Sequence, residues 1–260
     1  MKTKATKVET SKEIHGQDIK LESSPVGISS FLYATFTGKQ PETQGLPSTS
    51  LNCLTAVALF GSYLLFFLFV RWTINSTDIV SSYILPPFIH CASLSVRYSA
   101  IAAGIQTSET GTTKYIVDAR TLLLTMSLLY YVCVYVVSSV LSATAQIATS
   151  PFPYNNVEPR KHKRNMPPGL AHRTVSTHEA LYDFFPAYSI TAIFTAWCIS
   201  PSEPISSPVL SALALHIFVK LAIWAPAYLL RAHALRGAAH IVANDALILA
   251  FCALIGREAY

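Results

Sequence analysis

The chain has 260 residues, 52% of them hydrophobic and 13% charged, with a mean hydropathy of +0.40 and a formal net charge of +5. That balance excludes an ordinary soluble domain, and several windows reach the roughly 20 apolar residues that cross a hydrocarbon core of about 30 Å. The positive charge collects in loops, which fits the positive-inside bias rather than the basic face of a nucleic-acid-binding domain.

Residues 1–50 are polar, rich in Lys, Glu, Ser and Thr, and read as a disordered tail with no signal-peptide core. Its one weak apolar run is 28–36. Residues 51–119 hold one or two extra membrane helices. Leu51–Val70 is free of charge and ends in Arg71-Trp72, an interface anchor. Residues 79–104 are apolar enough to cross, but Pro86-Pro87 is expected to break a helix and Arg97 lies near the end. Asn75-Ser76-Thr77 is a formal glycosylation sequon beside a span end.

Residues 120–260 form the main membrane domain. Four spans are expected: 121–148, 182–199 with Pro186 in its first turn, 210–230 with Lys220 inside it, and about 238–256 with Asp245. Between the first two runs a cationic loop with Arg160, Lys161, Lys163, Arg164 and Arg173. Loop charge places residues 149–175 and 231–237 together on the cytosolic side. If 79–104 does not cross, the tail is cytosolic too; if it does, the tail is luminal. The basic loop by itself is also what contact with anionic lipid would use. Cys53, Cys91, Cys133, Cys198 and Cys252 fall in separate apolar segments without metal or disulfide spacing, and no metal is expected. His216, His233 and His240 read as interfacial or packing residues, and Tyr130, Tyr131 and Tyr135 as packing aromatics.

The order Glu158-Pro159-Arg160, Gly169-Leu170-Ala171-His172-Arg173, then His178 to Asp183-Phe184-Phe185-Pro186 resembles the loop and second helix of the MAPEG proteins, the membrane-associated proteins in eicosanoid and glutathione metabolism. Their bacterial-type branch is the most similar. Lys220, Trp224, Tyr228 and Leu235-Arg236 resemble the third helix and the start of the fourth. The resemblance covers about half the chain. It implies an all-α integral membrane protein with a MAPEG-like four-helix bundle at about 120–256, preceded by one or two extra membrane helices. It implies a multi-pass homotrimer, placed in the endoplasmic reticulum membrane if the cell is eukaryotic, in contact with the bilayer and not with nucleic acid. Small residues (Ala212, Ala214, Ala222, Ala225) would allow close helix approach.

The activity implied is glutathione-dependent transferase or isomerase chemistry on a lipophilic substrate. Glutathione needs cations for its carboxylates, a carboxylate for its amine and a positive group at sulfur, because the thiolate is the nucleophile. Arg236 is the implied catalytic group. Arg160, Arg173, His178, Asp183, Lys220, Trp224, Tyr228 and Arg231 are the implied binding residues. Arg173, His178 and Asp183 are expected on one broad helix face, and Lys220, Trp224 and Tyr228 on one stripe. The sequence departs from the family at Ser176, Ala180, Lys220 and Trp224, and Asp183 stands where the family has Glu. The alternative reading is a non-catalytic or glutathione-independent protein, such as a cyclase or isomerase, that retains the bundle.

Overall fold

A computed structural model describes residues 48–102, 117–149, 166–200 and 202–256, with side chains from 57 onward apart from Leu59. The tail and Arg160 with its basic loop therefore lie outside the described residues. Six helices make up the described chain, and no strand occurs among the described residues: α1 (Ser48–Ser76), α2 (Val80–Ala102), α3 (Ala119–Thr149), α4 (Leu170–Cys198), α5 (Pro208–Leu229) and α6 (His233–Ile255).

By length and apolar composition, α3, α5 and α6 can each cross a membrane. The 60–76 part of α1 and α2 would add a fourth span if that pair, bent by 74°, is one. Residues 182–199, expected as a span, are instead the second half of a 29-residue helix that falls short of the same standard. Asp183 lies in that half, together with Ser189, Thr191 and Thr195. The three hydroxyls bond to the carbonyls four residues back, at 3.0, 2.9 and 2.8 Å, so their polarity is absorbed within the helix.

The expected break at Pro86-Pro87 does not occur. A π-helical turn, Val80–Ile84, runs directly into the α-helical part Leu85–Ala102, so both prolines follow a widened turn and the helix continues through them. The same arrangement recurs in α5, where the π turn Val219–Trp224 precedes Pro226. A third π turn, Val132–Val137, lies in α3.

The core is centred on α5. Every residue from Val209 to Ile217 is buried, and all five other helices pack against α5. Residues from α1 and α2, including Val70, Val80, Leu85 and Ala92, belong to the same buried cluster as those of α3 to α6. In lipid, helices associate by close packing rather than by a hydrophobic drive, so small residues matter. Ala212 and Ala214 of α5 and Ala243, Ala246 and Ala250 of α6 are fully buried in this chain's own core. Ala212 and Ala214 are therefore not available to a neighbouring subunit, whereas Ala222 is exposed.

Helix directions alternate from α3 to α5. At one end Arg120 of α3 donates from Nε and Nη2 to the Ile199 carbonyl at 3.3 and 3.2 Å, just past the end of α4. Asp118 caps α3 through the Thr121 N–H at 2.6 Å. At the other end the start of α4, the end of α5 and the start of α6 meet.

Candidate functional site

That meeting is built from three unusual helix ends. α4 starts after Gly169 and α6 after Ala232, and neither has a side-chain cap or an acidic residue in its first turn. The open N–H groups of a first turn carry partial positive charge and need acceptors. Between them α5 stops in a tight closure. The N–H of Arg231 donates to Tyr228 O at 3.3 Å and that of Ala232 to Ala227 O at 2.9 Å. This is the double-bonded helix stop that normally uses glycine. Here Arg231 takes the left-handed conformation, with φ 61°, which costs an L residue about 1 kcal/mol.

The three ends enclose a cleft of about 310 Å³ lined by Pro168, Gly169, His172, Arg173, Tyr228, Arg231, His233 and Arg236. Arg173 reaches it from α4 and is anchored by its Nε, which donates to Leu229 O at 2.8 Å. The carbon of the Arg236 guanidinium sits 4.8 Å from the centre of the Tyr228 ring. Stacking on an aromatic face holds a guanidinium without using its donors. The lining thus combines three arginines, two histidines and a phenol, with no carboxylate among the lining residues. Such a surface attracts anions and holds them by forked hydrogen bonds.

No family model matches the chain, and neither a curated protein nor a solved structure matches it. The site is therefore argued from its own geometry.

Of the residues expected at a site, the cleft gathers Arg173, Tyr228, Arg231 and Arg236. It does not gather the rest. His178 turns to α3, its Nδ1 2.8 Å from Ser138 Oγ. Asp183 is exposed and does not line the cleft. The shared face expected for Arg173, His178 and Asp183 is thus not found. At about 100° per residue, His178 lies about 140° around the helix from Arg173, far enough to meet a different neighbour.

Lys220 and Trp224 lie deeper. Both are buried, Lys220 completely. The expected stripe holds, with Trp224 and Tyr228 rings 5.4 Å apart and Lys220 Nζ 5.1 Å from the Trp224 ring. Only Tyr228 reaches the cleft. Lys220 Nζ also lies 3.9 Å from the Phe184 ring and 3.2 Å from His240 Nδ1, and His240 Nε2 lies 3.0 Å from Asn244 Nδ2.

His172 and His233 are cleft residues that sequence reasoning missed, although each lies within three residues of a predicted arginine. His216, one turn before Lys220, is fully buried. Its Nδ1 lies 2.8 Å from Ala243 O, while its Nε2 has no hydrogen-bond partner among the described residues. Beside it are Tyr130, whose hydroxyl is likewise unpartnered, and Tyr188, whose hydroxyl meets Ser127 at 3.1 Å. His216 is thus a packing residue, as expected, whereas His240 also joins the Lys220 contact. Asp245 is buried with an unpartnered Oδ2 and lies apart from the cleft lining. A second, apolar cavity of about 270 Å³ lies toward the other end, between α4 and α6, lined by Phe194, Cys198, Phe251, Leu254 and Ile255.

Proposed function

We propose that the protein is a membrane-embedded enzyme of the MAPEG type, which holds glutathione in the cationic cleft and joins its thiol to a lipophilic substrate drawn from the bilayer. The observation that carries this is the convergence of Arg173, Arg231 and Arg236 with Tyr228 in one cleft at a bundle end. Arg173 and Arg231 are placed to grip the carboxylates. Arg236, stacked on Tyr228, is placed to favour the thiolate, because a fixed positive charge beside a thiol stabilises its ionised form. In this reading the cleft faces the cytosol in the endoplasmic reticulum membrane and the protein assembles as a homotrimer.

The test is the ultraviolet absorbance of thiolate when purified protein is saturated with glutathione. Wild type gives the signal. Arg236→Lys keeps the charge but loses the fork, and Arg236→Ala loses both. Turnover falls in that order, by about ten- to a hundredfold for the alanine variant if one to two pK units of thiol activation are lost. Absence of the signal in wild type ends the thiol mechanism.

A second reading is favoured by one observation. No carboxylate lines the cleft, and Asp183, the expected partner for the glutathione amine, is elsewhere. The cleft would then take an anion that has no ammonium group, without glutathione. N-acetylated glutathione separates the two: equal binding shows that the amine is not recognised.

A further inference from the structure

The cationic cleft lies where membrane headgroups would meet it. α5 ends at Leu229 and α6 begins at His233, and both are long and apolar enough to cross, so the short link between them falls at a bilayer boundary. Each of the three helix ends around the cleft also carries an exposed leucine beside a lining residue. Leu170 follows Gly169, Leu230 precedes Arg231 and Leu235 precedes Arg236. A leucine rim around a cationic cavity suits a ligand whose charged end enters the cavity and whose remainder is hydrocarbon.

The positive charge is more than one carboxylate needs. Arg173, Arg231 and Arg236 bring fixed charges from separate helix ends, and no carboxylate lines the cleft. Arg173 spends Nε on Leu229 O and Arg236 is held by stacking on Tyr228, so the outer guanidinium nitrogens of both are left for a ligand. The uncapped first turns of α4 and α6 bring Gly169, His172, His233 and Arg236 to the same lining. Arg231 keeps its place in a left-handed backbone that glycine would adopt freely, so the third cation is retained against the preference of the turn. A carboxylate offers two oxygens in one plane and a single charge. A phosphate monoester offers three terminal oxygens directed apart and close to two charges near neutrality. Forked donors arriving from several directions, beside helix N-termini, match the phosphate.

We propose that the cleft binds the terminal phosphate of a membrane lipid, a phosphomonoester such as phosphatidic acid, whose acyl chains lie over the leucine rim. The inference rests on the second reading above, in which the cleft takes an anion that has no ammonium group. A lipid phosphodiester has one charge and two esterified oxygens, so the site selects monoester over diester. Loop charge favours the cytosolic leaflet for this end, and that leaflet holds the anionic lipids.

The experiment uses the full chain in detergent micelles doped with equal amounts of dioleoyl phosphatidic acid and dioleoyl phosphatidylglycerol, and native mass spectrometry counts the lipid that stays bound. Wild type should hold phosphatidic acid about tenfold over phosphatidylglycerol, the worth of one further charge-assisted hydrogen bond. Arg231→Gly, which relaxes the turn, and Arg236→Gln should each bring that preference toward parity. Arg120→Ala at the opposite end should leave it unchanged. Equal retention of the two lipids by wild type overturns the monoester, and a preference kept by both cleft variants overturns the cleft as its location. Inorganic phosphate at the concentration of the phosphatidic acid should displace little of it. Complete displacement assigns the cleft to free phosphate and overturns the lipid source. Titration with glutathione and with N-acetylated glutathione tests the parent reading separately. Glutathione binding far more tightly than its acetylated form overturns the second reading and this site together, whereas equal binding without a lipid preference overturns the lipid phosphate alone.

Discussion

Arginine closes the end of a neighbouring helix at both ends of this bundle, and the two ends use the residue differently. At the α3 start, Arg120 commits Nε and Nη2 to one carbonyl, Ile199 O, with Asp118 two residues away. At the cleft end, Arg173 commits Nε to Leu229 O and also lines a cavity with two further arginines. One end pairs its arginine with an acid and an N-cap. The other stacks like charges beside two uncapped helix starts and adds a residue in a strained conformation. Natural folds tolerate such a concentration of unfavourable local choices where a site is being held ready for a ligand.

The largest difference between the ends should come from deleting each arginine. Arg173→Ala should lower the affinity for glutathione, the proposed ligand, at least tenfold and also lower thermal stability, because a charged hydrogen bond of about 1.5–3 kcal/mol is lost with it. Arg120→Ala should lower stability by a similar amount and leave affinity unchanged. Calorimetry and a binding isotherm on both variants check this, and equal affinity losses would remove the distinction between the ends.

Arg231→Gly should sharpen the comparison in the opposite sense. The left-handed stop is relieved by about 1 kcal/mol while a cleft cation disappears. The expected outcome is a melting temperature no lower than wild type together with weaker ligand binding. A variant that binds normally would show that Arg231 serves only the turn.

The smallest effect belongs to Asp118. Hydrogen bonding from the Thr121 backbone N–H holds its carboxyl below its ordinary value of 3.8. A lowered folded-state value means that the cap stabilises above the ordinary value, and the benefit is lost as pH falls through the lowered one. Asp118→Asn should therefore melt with less pH dependence below about pH 4, and Asp118→Ala should cost about 1 kcal/mol near neutrality. Melting curves at acidic and neutral pH check both.

The cleft was partly legible beforehand. Arg173, Tyr228, Arg231 and Arg236 stood out as polar groups at the edges of apolar runs. His172 and His233 did not, because a histidine near a span end is common and its role depends on what the next helix brings to it. His178 and Asp183 were misplaced for a related reason. Sequence spacing gives angles around one helix, while the neighbour that fills each angle is set by packing.

The amino-acid order by itself determined the helical class, the apolar segments of α3, α5 and α6, and the stripe from Lys220 to Tyr228, because hydropathy and helical periodicity are local properties of the chain. It did not determine that Pro86 and Pro226 would be absorbed by π turns, since a turn's width is chosen by the packing on both sides. Nor did it determine that α5 would lie at the centre, that Lys220 would meet His240, or that three helix ends would open into one cationic cleft. Those are contacts between residues far apart in sequence, and they exist only once the helices have found their neighbours.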